Sequence, residues 1–508
     1  GGVGGIGAGV GLGSDTNTFS RNVEAVVENS DIKANTFEVD ADSQQGISGF
    51  AVGAGIAGVG GGVAGIVTVT ELENATKAAL LNSNVNANTV NINANHTGVV
   101  NAGNVSAGVG GVGAGVGISV GVLKDNSSTE VTVGDDENAK TQGSTNITAA
   151  NDVNIAAENT AVVKPMISAT GGAGVGAAVA GATSVNNLNS VVKTNVNNAV
   201  ITSNNGNING TANNTFNVEA YSGGNAIGAA GIGVGANVTV NTIDSTVQTN
   251  VNDSTLNAET GNVTLTADEN RNIEQLATNI AAGGIAAGAN IAITSVGQEI
   301  KNTVNEDGET VSNAADKIAE ANNAYGANDT ETLLGDSAEA LETFGIDDIK
   351  LSVDAGYGGL EDENGNKISQ ITVNITNSNI DAGNNVTANA TENDNINMTL
   401  GSGAAGAAAV NAGVGILNVN RNVGVNITGG SIEAGTVDIG TDITGEAKLD
   451  VYQGSAGVIG ANAAVGIVNT TGSSDINLNG VTIEGKNISI AAQDNAKTSL
   501  QAVGVAAG

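Results

Sequence analysis

Residues that could carry out catalytic chemistry are scarce in this sequence. The 508 residues include a single histidine, His96 in the stretch NANHTGVV, and no cysteine. A lone imidazole among Asn and Thr is typical of a surface or ladder residue, and the lack of cysteine excludes a thiol nucleophile. Serine is common, but no GxSxG-type elbow with an available histidine stands out. We therefore predict that the chain is not an enzyme.

Three acidic clusters could provide oxygen ligands for a metal ion. Ca²⁺ takes six to eight oxygen ligands, and loops rich in Asp, Asn and Gly provide them. No cluster has the full EF-hand spacing and no GGxGxD array is present, so solvated turns are the alternative interpretation. Paired carboxylates could also cleave a polysaccharide, but the Arg, Lys and aromatic residues that bind sugar are scarce. The clusters are Asp135, Asp136 and Glu137; Glu306, Asp307 and Glu309; and Glu361, Asp362, Glu363, Asn364 and Asn366. The candidate Ca²⁺ ligands among them are Asp307, Glu309, Asp362, Asn364 and Asn366.

The charge balance is strongly acidic. The chain has 51 Asp and Glu against 16 Lys and Arg, a net charge of −35, and only three of the bases are arginine. Such a field repels phosphate, so we exclude a nucleic-acid partner. The 75 glycines, the absence of Trp and the nine Phe and Tyr residues leave Val, Ile, Leu and Ala to form the core. Those residue types suit many thin layers better than one thick centre.

A segment of about 54 residues recurs along the chain. Each copy contains Asn/Asp-Ser, then an aliphatic residue and an Ala, as in NSDIKANTFEVDA and NSNVNANTVNINA. Six of the seven spacings between copies lie near 54, and the seventh is longer by 70 residues. The central aliphatic residues of the copies are Ile32, Val85, Ile147, Ile201, Leu256, Ile380, Ile432 and Ile483.

Each copy also contains a glycine-rich block of strict two-residue alternation. In GVGAGVGISVGV, residues 111–122, every even position is apolar and every odd position is Gly or Ser. Period two predicts β-strands. Gly costs roughly 0.5–1 kcal/mol per residue in a strand relative to Ala. We therefore expect the bare face to allow close approach of a sheet, loop or chain.

These patterns predict an all-β fold, a parallel β-helix (β-solenoid) of ~54-residue repeats with one acidic, partly helical insertion. We expect two or three rungs per repeat, which gives roughly 18–22 rungs and a rod about 90–100 Å long. The predicted organisation is solenoid repeats over 1–300, the insertion over 301–370 and further repeats over 371–508. Both ends lie within the pattern, so we expect a fragment of a longer chain.

The insertion has a composition of its own. Residues 301–370 contain 16 acids and 4 Lys, and they lack the alternating blocks. One helix is predicted from helical spacing, and a second from Ser337 to Phe344, with Ser337 as N-cap. Inserted surface often carries binding function. The alternative is an insertion that the fold tolerates and that has no binding role. The residues at helical spacing are Val311, Ala314, Ala315, Ile318, Asn322 and Tyr325.

Several uncharged runs approach the length of a membrane span. The clearest are Ala51–Thr70 and Leu276–Gly297. A spanning helix needs about 20 apolar residues, and these runs are rich in Gly, Ala, Asn and Thr. We predict that they form buried strand pairs. Membrane insertion as alternating strands remains the alternative.

The repeats NSDIKANTFEVDA and DSTLNAETGNVTLTADEN, with the blocks GVGAGVGISVGV and AAGIGVGANVTVNT, resemble very large surface exoproteins of Gram-negative-type bacteria. The chain is similar in style to filamentous-haemagglutinin-like adhesins and autotransporter passengers, above all to leukotoxin-type filamentous adhesins. The resemblance implies a right-handed β-helix, outer-membrane secretion, an extracellular or cell-surface location, and adhesion or toxicity. It identifies no functional residue in this chain.

The first hypothesis is therefore a structural and adhesive rod that presents an acidic insertion to a host-cell or bacterial surface receptor. One alternative is a membrane-active toxin segment. Another is a self-assembling extracellular fibre or sheath subunit whose partners are like chains in a filament. No cofactor is expected apart from the Ca²⁺ considered above.

Overall fold

The computed structural model describes residues 2–135, 143–297, 302–304, 310–312 and 370–507. Within these ranges the chain forms 24 strands and no helix. No helix in this part of the chain is long and apolar enough to cross a membrane. In chain order the strands are β1 (Gly2–Ile6), β2 (Gly9–Glu28), β3 (Asp31–Val59), β4 (Gly62–Leu81), β5 (Asn84–Val112), β6 (Gly115–Gly134), β7 (Thr145–Ala149), β8 (Val153–Val175), β9 (Ala177–Asn197), β10 (Ala199–Ser203), β11 (Ile208–Gly228), β12 (Ile232–Asn252), β13 (Thr255–Ala258), β14 (Val263–Ala282), β15 (Ile285–Val296), β16 (Asn302–Val304), β17 (Thr310–Ser312), β18 (Gln370–Thr376), β19 (Asn379–Ala405), β20 (Ala408–Thr428), β21 (Ser431–Ala456), β22 (Ile459–Asn479), β23 (Thr482–Asp494) and β24 (Lys497–Ala507).

Two parallel sheets make up the described solenoid. Sheet B has nine strands and contains β2, β4, β6, β9, β12, β15, β18, β20 and β22. Sheet A has thirteen, because four of its levels divide into two strands, such as β7 and β8. One rung is a pass through sheet B followed by a pass through sheet A. The chain then returns to sheet B directly beside the previous rung.

The repeat seen in the sequence is one rung. Ile32 pairs with Val85, and Val85 with Ile147, so the aliphatic residues that define the copies stand above one another. The same stack continues through Ile201, Leu256, Ile380, Ile432 and Ile483. We call such a stack of paired positions a column. The prediction of a β-solenoid agrees with this all-β, parallel architecture.

The predicted number of rungs is wrong. Sheet B stacks eight levels, because β15 and β18 share one level. At about 4.8 Å per level the stack is about 38 Å tall. A 20-residue strand such as β4 is about 66 Å long at about 3.3 Å per residue. The molecule is therefore a broad slab. The prediction failed because period-two patterning resumes soon after each turn, so the pattern alone does not show where one rung ends.

The Asn/Asp-Ser pair of the repeat forms the corner between sheet B and sheet A. Asn29 and Asn82 have φ values of 53° and 44°, a left-handed conformation that Asn tolerates better than most residues. The Asn82 amide donates to Oδ1 of Asn29 at 2.5 Å. The backbone N–H of Ser30 donates to Oγ of Ser83 at 3.0 Å. These bonds join successive corners and explain why the motif recurs.

Apolar columns fill the interior beside this corner and in the middle of the rung. The corner cluster contains Val90, Ile92 and Val131 at 0% exposure. The middle cluster contains Leu72, Leu188 and Ile243, each at most 1% exposed. As predicted from composition, the described core is built from Val, Ile, Leu and Ala, with few aromatic residues.

At the opposite edge the two sheets come into backbone contact. This thin edge contains the turns at Gly60 and Gly113, with φ of 121° and 129°. A Cβ placed on Gly108 would lie 1.8 Å from the carbonyl oxygen of Val116 in the facing sheet, and one on Gly55 would lie 1.9 Å from that of Val63. The bare glycine face therefore packs against the other sheet of the same chain.

The aliphatic residues of the glycine-rich blocks point outward as a result. In β6 the inward positions Gly115, Gly117 and Ser119 alternate with Val116, Ile118 and Val120. The uncharged runs 51–70 and 276–297 form strand pairs wrapped around the thin edge, but the prediction that these pairs are buried is wrong in part, since Val52 is 64% and Ile280 52% exposed. Their glycines are interior, and many of their large side chains cover the outer surface.

The chain leaves sheet B after Val296 and re-enters it at Gln370. Val296 pairs with Ile243 and Gln370 with Thr246, so this break occupies the place of two residues in the neighbouring rung. The strands β16 and β17 pair antiparallel. Val311 lies in β17, so the predicted helix is wrong at its start. Ala314, Ala315, Ile318, Asn322 and Tyr325, and Ser337 to Phe344, lie outside the described residues, and the helical insertion is not supported.

Backbone contact at the thin edge predicts a strong position effect for alanine. Gly108→Ala should lower the free energy of unfolding by about 1–3 kcal/mol, because overpacking forces the sheets apart. Gly181→Ala is the matched control, because a Cβ there meets no atom within 4 Å. It should raise stability by about 0.5–1 kcal/mol. Denaturant titration of both variants measures the difference, and equal effects would contradict contact between the sheets.

Candidate functional site

A polar seam runs through the interior between the two apolar clusters. It is an inner column of sheet A that contains Ser43, His96, Asn159, Asn214, Glu269 and Glu392. Each of these side chains is at most 3% exposed. Buried polar groups at this density require partners, because an unpaired one costs about 1–3 kcal/mol.

Side-chain amides link neighbouring rungs along the seam. Asn159 Nδ2 donates to Asn214 Oδ1 at 2.6 Å and to Ser190 Oγ at 3.0 Å. Asn214 Nδ2 in turn donates to Glu269 Oε2 at 2.9 Å. Asn has both a donor and an acceptor, so the same residue type can bond to the rung on either side. The seam is therefore a hydrogen-bonded ladder that ends in carboxylates.

Two arginines and three carboxylates form a buried charge cluster at that end of the seam. Arg271 Nη1 lies 2.6 Å from Glu392 Oε1 and 3.1 Å from Asp394 Oδ1. Its Nε is 3.2 Å from Glu269 Oε1 but does not point at it, so this contact is an ion pair without a hydrogen bond. Arg421 Nε donates to Asp394 Oδ2 at 3.0 Å. Four of the five side chains are fully buried, and Arg421 is 4% exposed.

The charge cluster lies directly behind the break in sheet B. Asp394 belongs to the rung that is broken, Arg271 to the rung before it and Arg421 to the rung after it. Arg271 Nη2 also donates to Ser245 Oγ at 3.0 Å, and Ser245 is one of the two residues opposite the break. The cluster therefore connects three rungs where sheet B is interrupted.

Negative charge exceeds positive charge in the cluster, three carboxyls against two guanidiniums. Burial raises the pKa of Glu269, although Arg271 and the bond from Asn214 oppose the shift. Burial and the neighbouring carboxylates raise the pKa of Glu392 well above its usual range. A proton retained by a carboxyl neutralises the excess. Removal of one partner from a buried pair typically costs about 3–5 kcal/mol, so the cluster holds the broken rung in place.

His96 lies at the other end of the seam and is a ladder residue. It pairs in register with Ser43 and Asn159 and is 3% exposed. Burial, with a smaller effect of Arg21, lowers its pKa, so the ring is neutral at pH 7. Its position in the interior column is consistent with a structural residue.

The acidic clusters proposed from sequence are not assembled into a site in the described part of the chain. Asp307, Glu309, Asp362, Asn364 and Asn366 lie outside the described residues, as do Asp136 and Glu137. The Asp135 carboxylate accepts bonds from the Gly143 N–H at 2.9 Å and Asn198 Nδ2 at 3.1 Å. Among the described residues no group of three or more His, Cys, Asp or Glu could hold a metal ion.

The charge cluster was missed from sequence because its members are up to 152 residues apart, from Glu269 to Arg421. Two signals were available. Arginine occurs only three times, at Arg21, Arg271 and Arg421, and Arg271 and Arg421 are the two in this cluster. Glu392 and Asp394 are two residues apart, as are Glu269 and Arg271. In the register of β14 and β19, Glu269 pairs with Glu392 and Arg271 with Asp394.

No family model, no curated protein and no solved structure matches the chain.

One more buried carboxyl interrupts the apolar middle of the rung. Asp125 occupies an inner column between Leu72 and Leu188 and is 5% exposed. Ser127 Oγ donates to its Oδ1 at 2.6 Å. Burial raises the pKa of Asp125 to about 6, although the Ser127 bond opposes the shift. The folded state therefore favours the protonated form more strongly than the unfolded state does.

This raised pKa predicts a pH-dependent stability. The folded state binds more protons than the unfolded state between pH ~4 and pH ~6, so stability falls as pH rises through that window and then stays lower. Asp125→Asn should remove this loss of stability with rising pH. Its advantage over the parent chain should grow by about 2 kcal/mol between pH 4 and pH 7.5. Denaturant titrations at both pH values measure it, with exposed Asp42→Asn as the control for loss of one charge. A pH-independent difference would contradict the assignment.

Proposed function

We propose that this chain is a structural and adhesive segment of a secreted bacterial surface protein. In this proposal the solenoid is a non-catalytic support, and the region between Gly297 and Gln370 is the part presented for attachment to a cell or receptor. The observation that carries the proposal is the break in sheet B. Between Val296 and Gln370 the chain has 73 residues, where the neighbouring rung has only Asp244 and Ser245.

The register on both sides of the break supports a presenting role. The strands β15 and β18 lie end to end between β12 and β20. Both of them pair with β12 on one side and with β20 on the other. The stack thus accommodates a long excursion without a shift in register. A surface excursion on a rigid support is the usual arrangement of a binding loop.

The buried charge cluster supports the same role. It ties Arg271, Asp394 and Arg421 together across three rungs behind the point of exit. A force applied to the presented region would pass into the sheet at Val296 and Gln370, next to these ion pairs.

The composition of the presented region sets the kind of contact it can make. Its 16 acids and 4 Lys over 301–370 give a net charge of −12. An acidic surface favours a partner with a basic patch and gives an association rate that falls with salt. The extracellular location follows from the resemblance to filamentous adhesins and remains part of this proposal.

A structure-guided deletion tests the proposal. Residues 297–369 are replaced by Asp-Ser, the pair that fills the same place in β12, to restore an unbroken rung. We expect the variant to keep its strand content by circular dichroism. It should lose binding of fluorescently labelled protein to cultured epithelial cells and to bacterial cells, measured by flow cytometry.

The matched control removes a different insertion, which lies at the corner between sheet B and sheet A. Residues 135–144 are replaced by a single Asn, because Asn82 and Asn198 alone fill the same place in the neighbouring rungs. This variant should bind cells like the parent chain. Equal binding by the parent and the 297–369 variant, or no binding by the parent, would show that the excursion is not the adhesive part.

A further inference from the structure

The outer face of sheet B divides sharply into an aliphatic half and a polar half. The aliphatic half consists of the four outer columns next to the thin edge, which start at Val10, Leu12, Ser14 and Thr16. We call this surface the patch. Over eight rungs the four columns comprise 32 positions, of which 27 are Val, Ile, Leu or Ala, two are Gly and three are Ser or Thr. The next column contains Thr18, Glu71, Lys124 and Asn187, and from there the face is polar.

The patch lies on the outside of the sheet. Leu12 is 75% exposed, Val10 49% and Val67 43%, whereas five aliphatic positions in the middle of the sheet are largely covered by their neighbours: Val116 (6%), Val240 (7%), Ile293 (7%), Val414 (5%) and Ile416 (6%). Ile293, Val414 and Ile416 form an apolar cluster separate from the interior clusters, with Ile291, Val465 and Ile467 packed against it. Monomeric soluble proteins rarely expose a contiguous apolar surface of more than a few hundred Å².

The area and shape of the patch fit one occupant, a second sheet of the same kind. Eight rungs at about 4.8 Å and four columns at about 6.6 Å give about 1,000 Å² on each copy. Stable interfaces bury about 800 Å² per partner. The β-branched side chains stand in register on a flat pleat, the surface that packs face to face with another sheet at about 10 Å.

Charge distribution fixes how two copies would meet. The chain has a net charge of −35, yet seven of the eight rungs of the patch lie within segments without Asp, Glu, Lys or Arg, such as 43–70 and 165–192. In the first rung Asp15 lies between Ser14 and Thr16. When only the patches overlap, with the thin edges pointing in opposite directions, the two polar halves lie on opposite sides. Their acidic groups are then separated by more than the screening length of about 8–10 Å.

We propose that two copies of this chain associate face to face through the patch on sheet B. A lipid surface fits less well, because membrane-binding surfaces are typically rich in Lys and Arg and flanked by Trp. This chain has no Trp, and Lys124 is the basic residue in the column that borders the patch. The equivalent outer columns of sheet A are interrupted by Ser168, Thr170 and Thr278.

Sedimentation velocity of the purified full chain over about 1–100 µM tests the proposal. We expect a concentration-dependent dimer. Val185→Lys changes the patch column that borders the polar half, at the fourth of its eight rungs. Val191→Lys is the same substitution on the same face of β9, six residues away among polar columns. Val185→Lys should raise the dimer dissociation constant at least about 100-fold, because it places an unpaired charge against the apolar surface of the other copy. Val191→Lys should leave it unchanged.

Each other outcome overturns the proposal. A monomer at 100 µM shows that the patch does not pair copies, whatever the variants do. A dimer that Val185→Lys leaves intact, or that Val191→Lys disrupts equally, lies on another surface. If only the 297–369 deletion variant dimerises, a segment of this chain covers the patch. If the full chain is monomeric and floats with phosphatidylcholine vesicles, and Val185→Lys prevents it, the occupant is lipid.

Discussion

The in-register stacking of one long rung on the next is the constraint on which the rest of the structure depends. Along the described strands of the two sheets, a residue stands on its counterpart about one repeat later, as Ile32 stands on Val85. A residue type that suits one rung must therefore suit a whole column. Hydrogen bonds between like amides, aliphatic stacks and alternating charges each satisfy that requirement. The outer column with Glu24, Lys77, Glu130 and Lys193 shows the charged version.

Convergence of the two sheets follows from the same constraint. Glycine and alanine in one inner column bring the backbones together along the height of the slab: Gly9, Gly62, Gly115, Ala178, Gly233, Ala286, Ala409 and Gly460. Large side chains then have no interior space at this edge and are placed outside. The aliphatic outer surface is thus a consequence of how the thin edge closes. The polar seam lies in the part of the interior where the sheets are farther apart.

Sequence patterns were sufficient for strands, repeat and class of fold, because period two and the Asn/Asp-Ser corner are local signals. They were insufficient for the length of a rung, since alternation resumes within a few residues of the turns at Gly60 and Gly113. They also could not show which face of GVGAGVGISVGV is interior. That depends on the facing sheet, where the carbonyl of Val116 leaves no room for a side chain on Gly108. The contacts of Arg271 with Glu392 and Asp394 span more than 120 residues, and only the register reveals them.

The most direct test of one repeat per rung is disulfide trapping, which is simple here because the chain has no cysteine. Ala75 and Ser128 are outward, paired positions of adjacent rungs, and the rung spacing of about 4.8 Å suits a disulfide. Under mild oxidation, the Ala75→Cys, Ser128→Cys double variant should form an intramolecular disulfide, detected by mass spectrometry of linked peptides. The Ala75→Cys, Asn101→Cys variant, half a repeat apart, should not. A disulfide in the second variant and none in the first would contradict the rung length, and with it the columns, the thin edge and the patch.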